Sequence, residues 1–207
     1  MDLKTPLFDL SKFKNVYEPS EDTFLFLDTL EQELQLILSI KPDFVVEVGS
    51  GSGVVITALA NACKNISFCL ATDINSEANS ATAFTAKLNN VTIESINMKY
   101  LSNFKPNIFD VVLFNPPYVV TESNEIKGTG LNRSWAGGKN GREVIDEFLK
   151  LLPNILSYKG VCYMVVIKEN KLEDIHNVVV DLGLSCYIVK ERKVPGEHLF
   201  VLKMYRK

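Results

Sequence analysis

Apolar positions along the chain switch between helical spacing and short solid runs. After an irregular stretch over 1–19, Ser20 offers a helix N-cap, Glu21 and Asp22 occupy a first turn, and Phe24, Leu27, Leu30, Leu34 and Ile37 follow near helical spacing until Pro42. Residues 44–48 are almost continuously apolar and stop at glycines, as suits a strand buried on both faces of a parallel sheet. The same reading predicts a helix over 54–62, a strand over 67–72, a helix over 76–89, and strands over 92–97 and 109–114. Farther on it predicts a helix over 143–156 with Ile145, Phe148, Leu152 and Ile155 on one face, and a strand over 161–167. A helix carrying Leu172, Ile175, Val179 and Leu182 and strands over 185–190 and 199–205 close the chain. Alternating strands and helices predict an α/β fold. Residues 115–141 show no periodicity but hold two prolines, five glycines and the only tryptophan, and a long loop of that kind after a buried strand is usually functional.

Composition narrows the reading. With 207 residues, 46% hydrophobic and 23% charged, the chain fits one ordinary globular domain. A net charge of −3 argues against gripping duplex nucleic acid through a basic surface, because phosphate binding needs clustered cations. Cys63, Cys69, Cys162 and Cys186 show no Cys-x-x-Cys spacing, and His176 and His198 add no ligand pattern, so the cysteines read as reduced thiols, three of them within strands, and no metal site is expected. Neither a signal-like run after Met1 nor a membrane-length apolar segment occurs, which leads us to expect a cytoplasmic or nuclear protein and no membrane partner.

Glu47-Val48-Gly49-Ser50-Gly51-Ser52-Gly53 lies between a predicted strand and a predicted helix, where backbone amides can approach a ligand that side chains would block. Its Gly-x-Gly-x-Gly spacing departs from the dinucleotide fingerprint, in which the third glycine comes three residues after the second. Asp73 ends the next strand twenty residues after Gly53, where an acid can accept both ribose hydroxyls of an adenosine cofactor, and Glu47 lies where it could reach a cofactor's ammonium.

The strand over 109–114 runs straight into Asn115-Pro116-Pro117-Tyr118. Methyl transfer from a sulfonium needs a nitrogen lone pair in line with the carbon–sulfur bond, yet an amide lone pair is delocalised into its carbonyl. The nitrogen must therefore be held by its hydrogens. Asn115 oxygen and a carbonyl of the Pro116-Pro117 segment supply two acceptors, and Tyr118 can stack on the planar group or cover developing positive charge.

These two motifs, together with Tyr17-Glu18-Pro19-Ser20-Glu21-Asp22-Thr23, Asp73-Ile74-Asn75 and Trp135-Ala136-Gly137-Gly138-Lys139-Asn140-Gly141, resemble the HemK-type protein glutamine methyltransferases over nearly the whole chain. The resemblance implies one Rossmann-like class I S-adenosylmethionine-dependent methyltransferase domain over 1–207, with an N-terminal extension and helix over 1–40 and a cofactor and substrate core over 41–207. Its sheet is expected to be seven-stranded and mostly parallel with helices on both faces. Without the extra N-terminal helical domain of bacterial members, the chain is similar to the eukaryotic and archaeal branch, which modifies the Gly-Gly-Gln glutamine of the class 1 translation termination factor.

Carried over residue by residue, the resemblance implies that Thr23, Glu47 and Gly49 meet the methionine part of the cofactor, Gly51 and Gly53 complete the binding turn, and Asp73 holds the ribose. Asn115, Pro116, Pro117 and Tyr118 would form the catalytic turn, with Asn115 also near the cofactor, and Tyr17, Trp135, Gly137 and Gly138 would border the substrate channel. Lys99-Tyr100 stands where the family usually has Asp-Leu for the adenine amino group, and a lysine cannot accept that bond, so either Asn97 or a backbone carbonyl substitutes or cofactor affinity is reduced. A small zinc-binding activator subunit is the implied partner in a heterodimer, covering a sheet edge. The strand over 92–97 could supply that edge through Ile93 and Ile96 beside Val91 and Met98, unless these residues pack inward. Alternative readings are methylation of a histone lysine or of adenine N6 in DNA, which the same turn suits chemically, and a non-catalytic module that keeps the cofactor fold.

Overall fold

The computed structural model describes residues 3–101, 103–127 and 130–206; Met1, Asp2 and Gly128, which entered the reading above, lie outside the described residues. The elements are α1 (Glu21–Ser39), β1 (Phe44–Val48), α2 (Val54–Ala62), β2 (Phe68–Asp73), α3 (Ser76–Leu88), β3 (Glu94–Asn97), β4 (Phe109–Phe114), α4 (Glu143–Ile155), β5 (Leu156–Ile167), α5 (Leu172–Asp181), β6 (Leu184–Val194) and β7 (Glu197–Arg206). They build one seven-stranded sheet in the order β3-β2-β1-β4-β5-β7-β6. The first five strands in that order run parallel, and β7 is antiparallel to both β5 and β6.

The sheet forms this way because β1 and β4 carry apolar side chains on both faces. Val45, Val46, Val111, Val112 and Leu113 have no exposed surface, and burying each such side chain stabilises the fold by about 1.5–3 kcal/mol. Right-handed crossovers run one way from β1 through α2 and the other way from β4 through α4, which places these helices on opposite faces. The carboxyl ends of β1 and β4 are thus a topological switch point, where a doubly wound sheet opens a crevice. α1 is no appendage: Leu25, Phe26, Leu30, Leu34 and Ile37 join the same core.

Four strands differ most in extent from expectation. β5 starts at Leu156 rather than 161, because Leu156 pairs with Phe109 ahead of an irregularity in the ladder, while exposed Tyr158 and Lys159 interrupt the apolar pattern. The hairpin of β6 and β7 extends past its apolar stretch, pairing Lys193 with His198 and Val194 with Glu197 through the backbone alone. β3 is shorter, and it is an edge strand: Ile96 on it is exposed, while Ile93 just before it is buried and Val91 and Met98, outside it, are half-buried. Cys69, Cys162 and Cys186 lie in strands, and burial pushes their thiols up, that of Cys186 to about 11. Among the described residues, no helix is long and apolar enough to cross a membrane.

Candidate active site

A cavity of about 700 Å³ opens at the switch point, within the range of roughly 300–1,000 Å³ usual for clefts that bury a small molecule. Its wall includes Tyr17, Thr23, Glu47, Gly49, Gly51, Asp73, Lys99, Tyr100, Trp135 and the whole turn Asn115 to Tyr118. The two motifs, far apart in the chain, therefore face one hollow.

The floor comes from the first glycine turn. Gly49 and Ser50 donate their N–H groups to Thr72 O at 2.7 and 3.1 Å, which ties the turn to the end of β2. Asp73 accepts from Gly51 N–H at 3.0 Å and Asn75 N–H at 2.8 Å, which fixes both carboxylate oxygens beside the cavity. Burial pushes the Asp73 carboxyl up, opposed by those backbone donors and by the Arg133 guanidinium. Glu47 is buried, accepts from Ile56 N–H at 3.1 Å, and is pushed up to about 8, chiefly by desolvation with the Asp73 charge adding to it. Gly53 is absent from the wall. It starts α2 at φ 73°, and a Cβ there would come within 3 Å of Thr82 on α3, so this glycine serves the close approach of two helices.

Glu47 has a pH signature. An acid whose folded pKa is raised holds a proton that the unfolded chain has released, so its contribution to stability is fully present below about 4.5 and lost as pH rises towards 8. Urea unfolding of the protein and of Glu47→Gln is expected to show the native chain losing ground to the variant across that window, by a few kcal/mol at most. A difference that does not change with pH would remove the raised pKa.

Opposite the floor, Asn115 follows β4 directly. Its Nδ2 donates to Asp22 Oδ2 at 2.8 Å, while its Oδ1 is buried with no partner among the described residues. Tyr118 OH donates to the same Asp22 oxygen at 3.1 Å, and burial together with that carboxylate pushes its phenol far up, keeping it neutral. Tyr17 OH donates to Asp22 Oδ1 at 3.3 Å and is likewise pushed up to about 12.

The turn is braced from behind by the glycine segment expected along the channel. Gly137 and Gly138 are not on the cavity wall: both are buried, Gly137 N–H donating to Val119 O at 2.9 Å and Thr121 N–H donating to Gly138 O at 3.1 Å. Asn170, in the short turn after β5, has no exposed surface and donates from Nδ2 to Tyr118 O at 2.8 Å and Asn140 O at 3.0 Å. Trp135 alone of that motif's expected channel residues reaches the hollow.

Lys99 and Tyr100 do line the cavity, yet the Lys99 ammonium is held at 2.6 Å by Glu147 of α4. Tyr100 OH donates to that Glu147 at 3.1 Å and to Val144 O at 3.2 Å. Asn97 is not on the wall, and its Nδ2 donates to Asp73 O at 3.1 Å. Asn15, Val16, Arg133 and Glu197 also face the hollow, with nothing in their local sequence to distinguish them, and so does Asp22, which lies inside the motif over 17–23 but has no role implied for it there.

Residues 20–129 match the family described as the methyltransferase small domain. The human protein named methyltransferase HEMK2 is 42% identical over 92% of this chain and 90% of its own length. The chain belongs to the HemK-type methyltransferases. A Schizosaccharomyces pombe relative, the eRF1 methyltransferase catalytic subunit mtq2, is 34% identical over 99% of this chain and 96% of its own. The solved Mtq2–Trm112 complex of E. cuniculi, described as responsible for methylating the eRF1 translation termination factor, matches at TM-score 0.73 with 27% identity, over 93% of this chain and 99% of that one. As a HemK-type methyltransferase the chain is an enzyme, and the switch-point cavity is where its two motifs meet.

Proposed function

We propose that this enzyme transfers the methyl group of S-adenosylmethionine to the N5 amide nitrogen of the glutamine in the Gly-Gly-Gln motif of the class 1 translation termination factor. One observation carries the reading: Asn115 Oδ1 is a buried acceptor on the cavity wall left without a partner, as a site for an N–H-bearing planar group requires. The fission-yeast relative, named an eRF1 methyltransferase, and the E. cuniculi complex, described as methylating eRF1, support that choice of substrate.

The residues present fit the cofactor. Glu47 offers a buried carboxyl to an ammonium, whose charge would favour its ionised form, and Asp73 keeps lone pairs for ribose hydroxyls. The half-buried ring of Tyr100 and the stem of Lys99 can flank a purine, and with Lys99 in place of the acid, backbone carbonyls can accept from the adenine amino group. When bound, S-adenosylmethionine supplies an electrophilic methyl group on a sulfonium.

The chain's own part is to hold and desolvate the acceptor. Asn115 Oδ1 takes one amide N–H and the Pro116-Pro117 backbone the other, twisting electron density back onto nitrogen. Neutral Tyr118 packs beside the group without adding charge. The new nitrogen–carbon bond would form as the carbon–sulfur bond to the transferred methyl breaks, the thioether product leaving as S-adenosylhomocysteine, and one amide proton would pass to water. No nucleophilic side chain is needed.

We further place a small zinc-binding partner along the β3 edge, where exposed Ile96 and the unpaired side of the strand would otherwise meet water. The test is methyl transfer from labelled S-adenosylmethionine to purified termination factor, duplex DNA and histones, with and without that partner. Label is expected on the factor's glutamine; label on DNA or histone lysine alone would sink the proposal.

A further inference from the structure

We infer that Asp22 is a positioning residue that dictates which end of the Asn115 amide faces the acceptor nitrogen. The inference rests on the reading that Asn115 Oδ1 receives an N–H of the substrate. Asp22 is 4% exposed on the first turn of α1, ninety-three residues from Asn115. Every contact it makes in this region is with a donor. Oδ1 accepts from Thr23 N–H at 2.7 Å and Tyr17 OH at 3.3 Å, and Oδ2 from Asn115 Nδ2 at 2.8 Å and Tyr118 OH at 3.1 Å.

An ionised carboxylate can only accept, whereas an amide presents an acceptor at one end and donors at the other. With Asp22 in place, the nitrogen end of Asn115 is drawn to the carboxylate and the oxygen end is left for the substrate. The reverse rotamer would set oxygen against oxygen beside the carboxylate and turn two N–H donors towards an acceptor nitrogen that carries only N–H groups. Asp22 therefore converts an ambidextrous amide into a dedicated acceptor, and its shared bond to Tyr118 keeps the two side chains of the turn in one register.

Asp22→Asn tests this without a change of size. Thr23 N–H holds the oxygen of the new amide at the Oδ1 place, so its NH₂ falls at the Oδ2 place and draws Asn115 oxygen away from the cavity. kcat towards the termination factor is expected to drop about 10²-fold, with KM for S-adenosylmethionine, its calorimetric affinity and the melting temperature little changed. The decisive variant is the exchanged pair Asp22→Asn with Asn115→Asp. There the new amide donates to the carboxylate introduced at position 115, whose second oxygen again faces the cavity. Turnover is expected to recover at least tenfold over Asp22→Asn, while Asn115→Asp alone, with two carboxylates opposed, stays low.

An exchanged pair no better than the product of its single variants would overturn the inference. So would loss of cofactor affinity or of the cooperative melt in Asp22→Asn in place of a selective loss of kcat, since Asp22 would then be a structural residue. Undiminished turnover in Asp22→Asn also overturns it and leaves the proposed reaction standing, whereas a native enzyme that leaves the factor unlabelled removes the reaction and this role together.

Discussion

Replacing Asn115 with alanine is expected to lower kcat by about 10³-fold or more while S-adenosylmethionine affinity stays within about threefold. The separation follows from which strands carry which groups. Glu47 and the glycine turn belong to the end of β1 and Asp73 to the end of β2, so the polar groups proposed to hold the cofactor lie on one side of the switch point. Asn115 stands across from them, after β4, and its unpartnered oxygen is committed to neither. An amide nitrogen is a poor nucleophile until its hydrogens are engaged, so losing that acceptor takes away both orientation and activation. The fold survives: Asp22 still accepts from Tyr118 OH, Tyr17 OH and Thr23 N–H, and one lost hydrogen bond costs about 1–2 kcal/mol. Single-turnover rates beside calorimetric titration of the cofactor make the measurement. Affinity falling in step with turnover would move Asn115 to the cofactor side.

Much of this arrangement is legible in the sequence, and the reason is local. A solid apolar run, a glycine turn and a helical repeat follow one another within 44–62, so chain proximity alone places the turn at a strand's carboxyl end. The same holds for 109–118, where a strand runs into two prolines. Asp22 and Asn170 are illegible for the opposite reason. In sequence, Asp22 is a first-turn acid that the helix dipole would favour anywhere, and its role exists only because α1 packs across the end of β4. Asn170 sits in a short turn after β5, and its partners Tyr118 and Asn140 come from a loop with no periodic pattern to place it. The glycines of 137–141 look like a flexible channel lip, but a glycine can equally mark where two backbones must touch, and here Gly141 does.

Gly141→Ala is therefore expected to damage the enzyme from behind the turn. Gly141 has φ 65°, and a Cβ built on it would overlap the Tyr118 carbonyl oxygen and the Asn170 amide. Left-handed backbone alone costs an alanine about 1–2 kcal/mol. The overlap adds to that, because neither neighbour is a free side-chain end: one is backbone and the other is a buried side chain bonded to Tyr118 O and Asn140 O. A total on the order of 3–4 kcal/mol follows, or roughly 10 °C in Tm for a chain of this size. Turnover is expected to fall about 10²-fold with it, since relief of the overlap pushes Tyr118 and the turn out of line with the cofactor. Gly183→Ala provides the control, with φ 80° and nothing within 4 Å of its Cβ, so that it carries the backbone cost without the collision. Melting curves and methyl transfer for both variants separate the two terms. If Gly141→Ala melts with Gly183→Ala and turns over like the native enzyme, the segment 137–141 does not brace the catalytic turn, and the position of Tyr118 must be set from the α1 side through Asp22 alone.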